Sequence, residues 1–261
     1  MAYDTILVEQ KGRVTWITLN RPAQMNAITH AMHDELQAAF DAFAADDDQW
    51  ICVVTGAGEK AFCAGTDLKE AASSSTRHAY PKNGYAGLIE RFDLNKPVIA
   101  AVNGLALGGG FEVALACDLI IASENARFGL PEPLVGAVAL GGGLHRLARQ
   151  IGLKKAMGYI FTGRQMSAAD AEQMGLVNEV VPADQLEQAV HAWCEDMLRC
   201  APISIRASKE TVMSGLEAGG VEAAMKAQPN IPGFVEWTKA EDTREGPLAF
   251  AEKRKPNWKG R

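Results

Sequence analysis

The sequence predicts an α/β fold with largely buried, parallel strands, followed by a region made only of helices. Short apolar runs, such as residues 50–55 and 118–122, alternate with longer segments whose apolar residues recur at helical spacing. This alternation is typical of α/β proteins whose strands are buried on both faces. Beyond residue 200 no strand pattern occurs. We therefore expect an α/β core over residues 1–200 and a helical region over 201–261.

The composition is that of a soluble globular protein, with 48% hydrophobic and 22% charged residues in a chain of 261. A net charge of -6 argues against a broad nucleic-acid surface, so any phosphate recognition should be local. The five cysteines contain no CxxC pair, which favours a reduced cytoplasmic protein over a disulfide scaffold or a zinc site. Neither a signal peptide nor a membrane-spanning run is evident, and we expect no metal and no membrane partner.

The N-terminal part predicts a strand pair and then a helix. Residues 6–10 and 14–19 are β-branched and partly alternating around a turn at 11–13, as in two paired strands. A helix is expected over 29–45, because four apolar residues recur there at helical spacing. These residues are Met32, Leu36, Phe40 and Phe43.

A second helix should begin near Thr66 or Asp67, after the buried strand at 50–55. Asp67 is followed three residues later by Glu70, which resembles a capping box. The cap alone would account for Asp67. The alternative is that this helix start also serves a ligand, because the first N–H groups of a helix have no intrahelical partner.

Residues 73–84 are polar and rich in turn formers, so they predict a surface loop. A short helix is expected over 85–92, and a strand with its turn over 96–104. The next stretch, 105–117, contains three consecutive glycines that run into an apolar helix carrying Glu112. A glycine run that opens a helix is a possible anion or oxyanion site. Taken alone, Glu112 could simply favour the helix dipole.

The second half of the sequence carries another acid and another glycine run. Glu132 stands between two prolines, which present its carboxylate from a stiff segment. Gly141–Gly143 then open a helix over 144–151, but no Gly-Lys-Ser/Thr follows, so this is not a P-loop. His145 and Arg146 in its first turn are expected at the surface or at an interface.

The rest of the chain predicts helices over 153–161, 167–174 and 186–198, with a short strand at 176–181. Two more helices are expected over 204–216 and 221–226. The tail, residues 253–261, is basic and is either solvated or a local phosphate contact.

Two strand-to-helix junctions, at Gly65–Thr66 and at Gly108–Gly110, can each aim one backbone N–H at the same point. Two such donors form an oxyanion hole, and each is worth roughly 3–4 kcal/mol to a developing enolate or tetrahedral oxyanion. Glu112 and Glu132 beside this hole suit proton transfer next to a thioester carbonyl, one as base and one as acid. Their mutual repulsion should raise at least one pKa. Without a Gly-x-Ser-x-Gly elbow, covalent hydrolysis is not indicated.

Four segments resemble the crotonase (enoyl-CoA hydratase/isomerase) superfamily, namely residues 61–68, 96–104, 108–118 and 128–132. The resemblance extends from the first strand to the tail at 245–254. Residues 84–88 and the tail resemble the carnitinyl-CoA (crotonobetainyl-CoA) dehydratases of that superfamily in particular. The resemblance implies a spiral of ββα units with a C-terminal helical trimerisation region, assembled as a homotrimer or as a hexamer of two trimers.

The resemblance also implies an acyl-CoA thioester substrate, no separate cofactor and a place in fatty-acid β-oxidation. The N–H groups of Thr66 and Gly109 would hold the thioester carbonyl oxygen. Glu112 would position and activate water, and Glu132 would exchange the proton on the carbon next to the thioester. The resemblance further implies contacts to CoA or substrate for Ala64, Asp67, Leu68, Lys69, Gly108, Leu140, Phe250 and Lys253. Phe250 and Lys253 would make these contacts from a neighbouring subunit.

One departure from the family pattern concerns Leu140, which occupies a position where many hydratases have glycine. A leucine there would narrow or dry the site beside Glu132. The leading hypothesis is a hydratase acting reversibly and syn on a 2,3-enoyl-CoA. A specialised dehydratase of the carnitinyl-CoA type and an enoyl-CoA isomerase remain alternatives. A non-catalytic, RNA-associating protein is disfavoured by the acidic balance and by the intact carboxylate pair.

Overall fold

The computed structural model describes residues 3–73 and 79–261, and the chain divides into two compact units. Unit 1 comprises the chain up to Phe92 together with Val98–His191, and unit 2 comprises Asp93–Pro97 together with Ala192–Arg261. That residues 1–200 and 201–261 act as separate domains stays a prediction.

Two sheets and a set of helices make up the described part of the chain. The strands are β1 (Ile6–Lys11), β2 (Val14–Leu19), β3 (Ile51–Gly56), β4 (Ala61–Cys63), β5 (Val98–Val102), β6 (Leu105–Leu107), β7 (Leu119–Ser123), β8 (Arg127–Gly129), β9 (Met166–Ser167) and β10 (Glu179–Val181). The α-helices are α1 (His30–Ala45), α2 (Leu68–Ser73), α3 (Gly109–Ala116), α4 (Gly143–Ile151), α5 (Leu153–Thr162), α6 (Ala168–Gln173), α7 (Leu186–Leu198), α8 (Pro202–Glu217), α9 (Val221–Ala227), α10 (Pro232–Lys239) and α11 (Asp242–Ala251).

The larger sheet has six strands in the order β1-β2-β3-β5-β7-β10. Strands β1 and β2 are antiparallel, and every later pair is parallel. All five residues of β5 are buried, as expected for a central strand covered on both faces. The predicted α/β class with buried parallel strands is therefore confirmed.

The smaller sheet has four short strands in the order β4-β6-β8-β9, and the sequence patterns did not predict it. Strands of two or three residues are too short to show an alternation of apolar and polar residues. Within this sheet β4, β6 and β8 are parallel to one another. Since the carboxyl ends of parallel strands lie at one edge, the segments that follow these three strands meet there. Those segments contain Thr66, Gly109 and Glu132.

Aromatic side chains fill the core of unit 1. Phe40, Phe62, Phe111 and Phe128 are fully buried, and the rings of Phe111 and Phe128 lie 5.5 Å apart. Phe111 lies in the first turn of α3, and Phe128 lies in β8. Their contact therefore fixes the first turn of α3 against the strand that leads to Glu132.

The helix predicted over residues 85–92 is wrong. Only Tyr85–Gly87 form a short 3₁₀ turn, since Ala86 and Gly87 adopt left-handed backbone angles, with φ of 57° and 61°. A β-carbon at Gly87 would lie 2.5 Å from Cα of Gln37 in α1. The turn therefore packs directly on the backbone of α1, which an α-helix with side chains could not do.

Unit 2 is helical, as the sequence predicts for its C-terminal part. Its tail folds back on the unit, because the carboxylate of Asp242 accepts hydrogen bonds from the N–H groups of Lys259 and Gly260. The indole of Trp258 also donates to the carbonyl of Arg199. Trimerisation by this region stays a prediction. Among the described residues, no helix is long and apolar enough to cross a membrane.

Candidate active site

The two predicted junctions lie side by side at the edge of the smaller sheet. A β-carbon at Gly65 would lie 2.9 Å from the carbonyl oxygen of Leu107 and 3.2 Å from the nitrogen of Gly109. The chain after β4 thus runs in van der Waals contact with the chain after β6. Gly65 also has a φ of 92°, which is unfavourable for residues with a β-carbon. Glycine therefore suits both the backbone conformation and the close contact with Leu107 and Gly109.

The N–H group of Thr66 points away from the segment that holds it. Ile28 donates its N–H to the carbonyl of Gly65 at 2.8 Å and accepts from the N–H of Asp67 at 3.0 Å. Because neighbouring N–H groups of an extended segment face opposite sides, Thr66 presents its own N–H on the other side. Thr66 is exposed, so a ligand can reach it.

Gly109 supplies the second N–H as the first residue of α3. Gly108 before it has a φ of 54° and donates its N–H to the carbonyl of Gly129 in β8 at 2.9 Å. The first N–H groups of a helix lack an intrahelical partner and carry the positive end of its dipole. The two junctions therefore form the kind of donor pair that binds an oxyanion.

Asp67 caps α2, as predicted, but the capping box is not closed. Its Oδ1 accepts from the N–H groups of Lys69 and Glu70 at 3.1 and 3.3 Å. The carboxylate of Glu70 does not return the bond. It accepts instead from the N–H of His30, at the start of α1.

An ion pair accompanies this cap. Arg21 donates to Oδ2 of Asp67 at 3.0 Å. Burial alone would raise the pKa of Asp67, but the hydrogen bonds from Arg21 and from the helix lower it below its usual value. Asp67 therefore carries a charge, and its observed contacts are those of a structural cap.

Glu112 is buried in the first turn of α3, with only 3% of its surface exposed. Its Oε1 accepts from the N–H of Gly143 at 2.9 Å, and the N–H of Gly141 also donates to its carboxylate. A β-carbon at Gly141 would lie 2.5 Å from Oε2 of Glu112, and one at Gly143 would lie 2.9 Å from Cγ. The second glycine run is thus a cradle for this carboxylate, a role that the sequence analysis missed.

Glu132 opens a 3₁₀ turn, Glu132–Val135, and its side chain reaches back to the junction at Gly108–Gly110. Its Oε1 lies 3.2 Å from where a β-carbon of Gly108 would stand. Its Oε2 is buried and has no hydrogen-bond partner among the described residues. Buried polar atoms are nearly always paired, so an unpaired carboxylate oxygen here points to a ligand.

Both glutamates have a raised pKa, the direction expected from the sequence. Burial is the main cause for each. For Glu112 the nearby charge of Glu132 adds to the effect, and the N–H groups of Gly143 and Gly141 oppose it. A carboxyl group whose pKa is raised can act as an acid closer to neutral pH.

Tyr85 is a further residue of the site that the sequence analysis did not identify. Its hydroxyl lies 3.2 Å from Oγ1 of Thr66, and a β-carbon at Gly109 would overlap its ring. The side chain is buried, and burial raises its pKa well above the usual range, so it is neutral. A tyrosine in a short glycine-flanked segment gives no periodic signal that could have placed it here.

His145 and Arg146 were both expected at the surface or at an interface, and in the single chain His145 is exposed and Arg146 is half-buried. The guanidinium of Arg146 is half-buried, and it donates to the carbonyl of Ile89 at 2.7 Å and to that of Gly141 at 3.5 Å. Through the hydrogen bond to Gly141, Arg146 contacts the loop that holds the carboxylate of Glu112.

Leu140 is 69% exposed in the single chain and lines a cleft of about 420 Å³ together with Ile89, Glu90 and Arg146. That it narrows the water site stays a prediction. Leu68 and Lys69 are exposed at the start of α2, and Ala64 is half-buried. Their contacts with CoA likewise stay predictions.

In unit 2, Phe250 is 87% exposed and Lys253 is also exposed. Part of the basic tail is neutralised within the unit, because Arg254 pairs with Glu245 and Glu252. The described residues contain no group of three His, Cys, Asp or Glu side chains that could hold a metal ion. The loop expected at residues 73–84 lies partly outside the described residues, since 74–78 are not among them.

A family model described as "Enoyl-CoA hydratase/isomerase" matches residues 9–261. The chain belongs to this family. The match confirms the crotonase superfamily predicted from the sequence and identifies the chain, at the level of class, as a lyase-type enzyme of acyl-CoA thioesters.

The relatives include both hydratases and dehydratases. The chain is 42% identical to a carnitinyl-CoA dehydratase from Proteus mirabilis, over 96% of this chain and 97% of the relative. It is 40% identical to a carnitinyl-CoA dehydratase from Salmonella typhi, over 99% of both chains.

Solved structures of the family share the fold. An enoyl-CoA hydratase from Bacillus anthracis superimposes with a TM-score of 0.91 at 36% identity, over 99% of this chain and 100% of that chain. An enoyl-CoA hydratase from Mycobacterium tuberculosis superimposes with a TM-score of 0.91 at 36% identity, over 98% of this chain and 99% of that chain.

Proposed function

We propose that the enzyme is an enoyl-CoA hydratase, which adds water reversibly and syn across the 2,3-double bond of an enoyl-CoA thioester. The observation that carries this proposal is the pair of acids at one oxyanion hole, of which Glu112 is buried and Glu132 is half-buried. Glu112 is held by backbone N–H groups, and Glu132 keeps one buried oxygen without a partner among the described residues. This arrangement supports two distinct proton-transfer roles at one carbonyl-binding point.

The N–H groups of Thr66 and Gly109 polarise the thioester carbonyl in the proposed mechanism. Addition of water at C3 pushes electrons through the double bond onto the carbonyl oxygen, which becomes an enolate. Two fixed donors stabilise that charge without reorganisation, and each contributes roughly 3–4 kcal/mol. The aligned N–H groups at the start of α3 add to the favourable potential.

The two glutamates divide the proton transfers. Glu112, fixed by Gly143 and Gly141, orients the water and takes its proton as oxygen bonds to C3. Glu132, whose pKa is raised by burial, delivers a proton to C2 of the enolate. In the reverse direction the ionised Glu132 removes that proton and Glu112 protonates the leaving hydroxyl. Because both groups lie at the same hole, both bonds form on one face of the substrate.

A specialised dehydratase is the second candidate, and the observation that favours it is the 40–42% identity to carnitinyl-CoA dehydratases. The same two carboxylates would serve that reaction, because removal of water is the reverse of hydration. A comparison of carnitinyl-CoA with 3-hydroxybutyryl-CoA as substrates separates the two. An isomerase would instead move the double bond without adding water.

The test is the loss of enoyl absorbance when the protein is mixed with crotonyl-CoA. We expect Glu112→Gln and Glu132→Gln each to lower kcat by about a hundredfold or more, the size expected for general acid–base groups. Glu9→Gln is the matched control, because it makes the same carboxylate-to-amide change at an exposed residue of β1 that takes no part in the proposed site. Wild-type rates in either glutamate variant would refute the proposal.

We further propose a trimer or a hexamer of two trimers, in which Phe250 and Lys253 contact the CoA of a neighbouring subunit. Phe250 is 87% exposed in the single chain, so its ring is accessible for such a contact. A cytoplasmic location, supported by the five free cysteines, and a role in β-oxidation complete the proposal.

A further inference from the structure

Tyr85 connects the two residues that supply the oxyanion hole. Its hydroxyl lies 3.2 Å from Oγ1 of Thr66, within hydrogen-bond distance, and either group can be the donor. Its ring fills the space where a β-carbon of Gly109 would stand. One buried side chain therefore contacts both junctions.

Two aromatic side chains pack edge-on against the ring of Tyr85. The His33 imidazole packs edge-on against it with centroids 4.6 Å apart, and the Tyr80 ring packs edge-on at 5.6 Å. The N–H of Ala86 donates to Nδ1 of His33 at 2.9 Å, which ties the turn to helix α1. The position of Tyr85 is thus set by α1 and not by the loop alone.

The backbone around Tyr85 is strained. Ala86 has a φ of 57°, a left-handed conformation that is unfavourable for an L-residue with a β-carbon. Gly84 before it has a φ of 75°. Strain of this kind persists where the surroundings fix it, and here it aims the Tyr85 ring at the two junctions.

We propose that Tyr85 is a positioning residue for the oxyanion hole. Its hydroxyl holds Thr66 and its ring sets the approach of Gly109, so that both N–H groups keep the spacing that a carbonyl oxygen needs. This inference rests on the proposed function, because it assigns Tyr85 to the carbonyl-binding point of that reaction. Tyr85 itself transfers no proton in this account.

The test uses Tyr85→Phe, which removes the hydrogen bond to Thr66 and keeps the ring. We expect kcat for crotonyl-CoA to fall about five- to tenfold with KM changed less than twofold, the effect of one net hydrogen bond. A direct readout is the ¹³C shift of the thioester carbonyl in bound butyryl-CoA, which cannot be hydrated. The downfield shift on binding should be smaller in Tyr85→Phe than in the wild type.

Thr66→Val tests the same bond from its exposed partner without disturbing the core. It removes the hydroxyl, retains the backbone N–H and should reproduce the effect of Tyr85→Phe. The double variant should be no worse than either single one, because both remove one interaction. Tyr80→Phe is the control, since its ring belongs to the same cluster, and we expect wild-type kcat and carbonyl shift.

Three outcomes would overturn the inference. They are a wild-type carbonyl shift in Tyr85→Phe, additive effects of the two hydroxyl deletions, and a loss in Tyr80→Phe as large as in Tyr85→Phe. The carbonyl measurement does not need turnover. If the wild type shifts the carbonyl but does not hydrate crotonyl-CoA, the proposed function fails while the role of Tyr85 is still tested.

Discussion

The two glycine runs, Gly108–Gly110 and Gly141–Gly143, both open helices at the same site, yet they use their N–H groups differently. The first run leaves the N–H of Gly109 at the start of α3, where it can meet a ligand. The second run directs the N–H groups of Gly141 and Gly143 at the carboxylate of Glu112. In the proposed mechanism, the first helix start binds the substrate carbonyl and the second orients the carboxylate of Glu112.

A glycine-rich helix start therefore does not by itself identify a ligand site. In both runs, glycine is required by close approach of a neighbour. At Gly109 the neighbour is the Tyr85 ring, and at Gly141 it is Glu112 itself. What distinguishes the runs is whether the chain already supplies the anion. Substitutions in the two runs should therefore affect different steps.

The largest effect is expected for Gly109→Ala. The new methyl group would overlap the Tyr85 ring, so the N–H of residue 109 must move away from the carbonyl position. Loss of one oxyanion donor lowers kcat by about 10²- to 10³-fold. Crotonyl-CoA kinetics measure this, and the carbonyl shift of bound butyryl-CoA should shrink as well.

The control for that change is Gly158→Ala in α5, where a β-carbon would have no neighbour within 4 Å. It should keep full activity and stabilise the protein slightly, since alanine favours a helix by about 1 kcal/mol over glycine. If Gly109→Ala behaved like Gly158→Ala, the first run would not be part of the oxyanion hole.

A smaller effect is expected for Gly141→Ala in the second run. Its methyl group would lie 2.5 Å from Oε2 of Glu112 and would displace the carboxylate while leaving Thr66 and Gly109 in place. We expect kcat to fall about ten- to a hundredfold, in the range for a misplaced general base. The carbonyl shift should stay at its wild-type value, and a reduced shift would contradict the division between the two runs.

The smallest effect is the change in the pH dependence of stability that we expect for Glu132→Gln. The pKa of Glu132 is raised in the folded protein, so the folded state binds the proton more tightly than the unfolded state. The stability that this group contributes is fully present below its unfolded pKa and is lost as the pH rises through the folded pKa. At pH 8 the wild type therefore carries a buried charge that the glutamine variant lacks.

We expect Glu132→Gln to melt about 2 °C higher than the wild type at pH 8, which corresponds to about 1 kcal/mol in a chain of this size. Near pH 4 the two proteins should melt alike. Thermal unfolding at both pH values measures the difference. A lower melting temperature for the variant at pH 8 would mean that the Glu132 charge is stabilised by a partner.

The sequence predicted the strands of the larger sheet and most of the helices, because most of these elements are five or more residues long and show a recurring apolar pattern. The cap at Asp67 also follows from local chemistry, and its carboxylate accepts the expected N–H groups. The smaller sheet was missed because its strands are only two or three residues long. The contacts of this sheet are set by distant parts of the chain and leave no periodic pattern.

Within the site, the residues with local signals were found and those that depend on tertiary contacts were not. Glu112 and Glu132 stand beside glycine and proline, which mark unusual backbone, and the structure brings them to one edge. Tyr85 contacts Thr66, 19 positions away, and Arg146 contacts Ile89, 57 positions away, while the segments that carry Tyr85 and Arg146 look ordinary. The role of Gly141 as a cradle depends likewise on α3, which no local pattern connects to it.

The central claim is that two glutamates and two backbone N–H groups add water to an enoyl thioester. The most direct test is the product formed from crotonyl-CoA in deuterated, ¹⁸O-labelled water. We expect 3-hydroxybutyryl-CoA with one deuterium at C2 and one solvent oxygen at C3. Its rate of formation should fall about a hundredfold or more in Glu112→Gln and in Glu132→Gln. Migration of the double bond without uptake of solvent oxygen would contradict it.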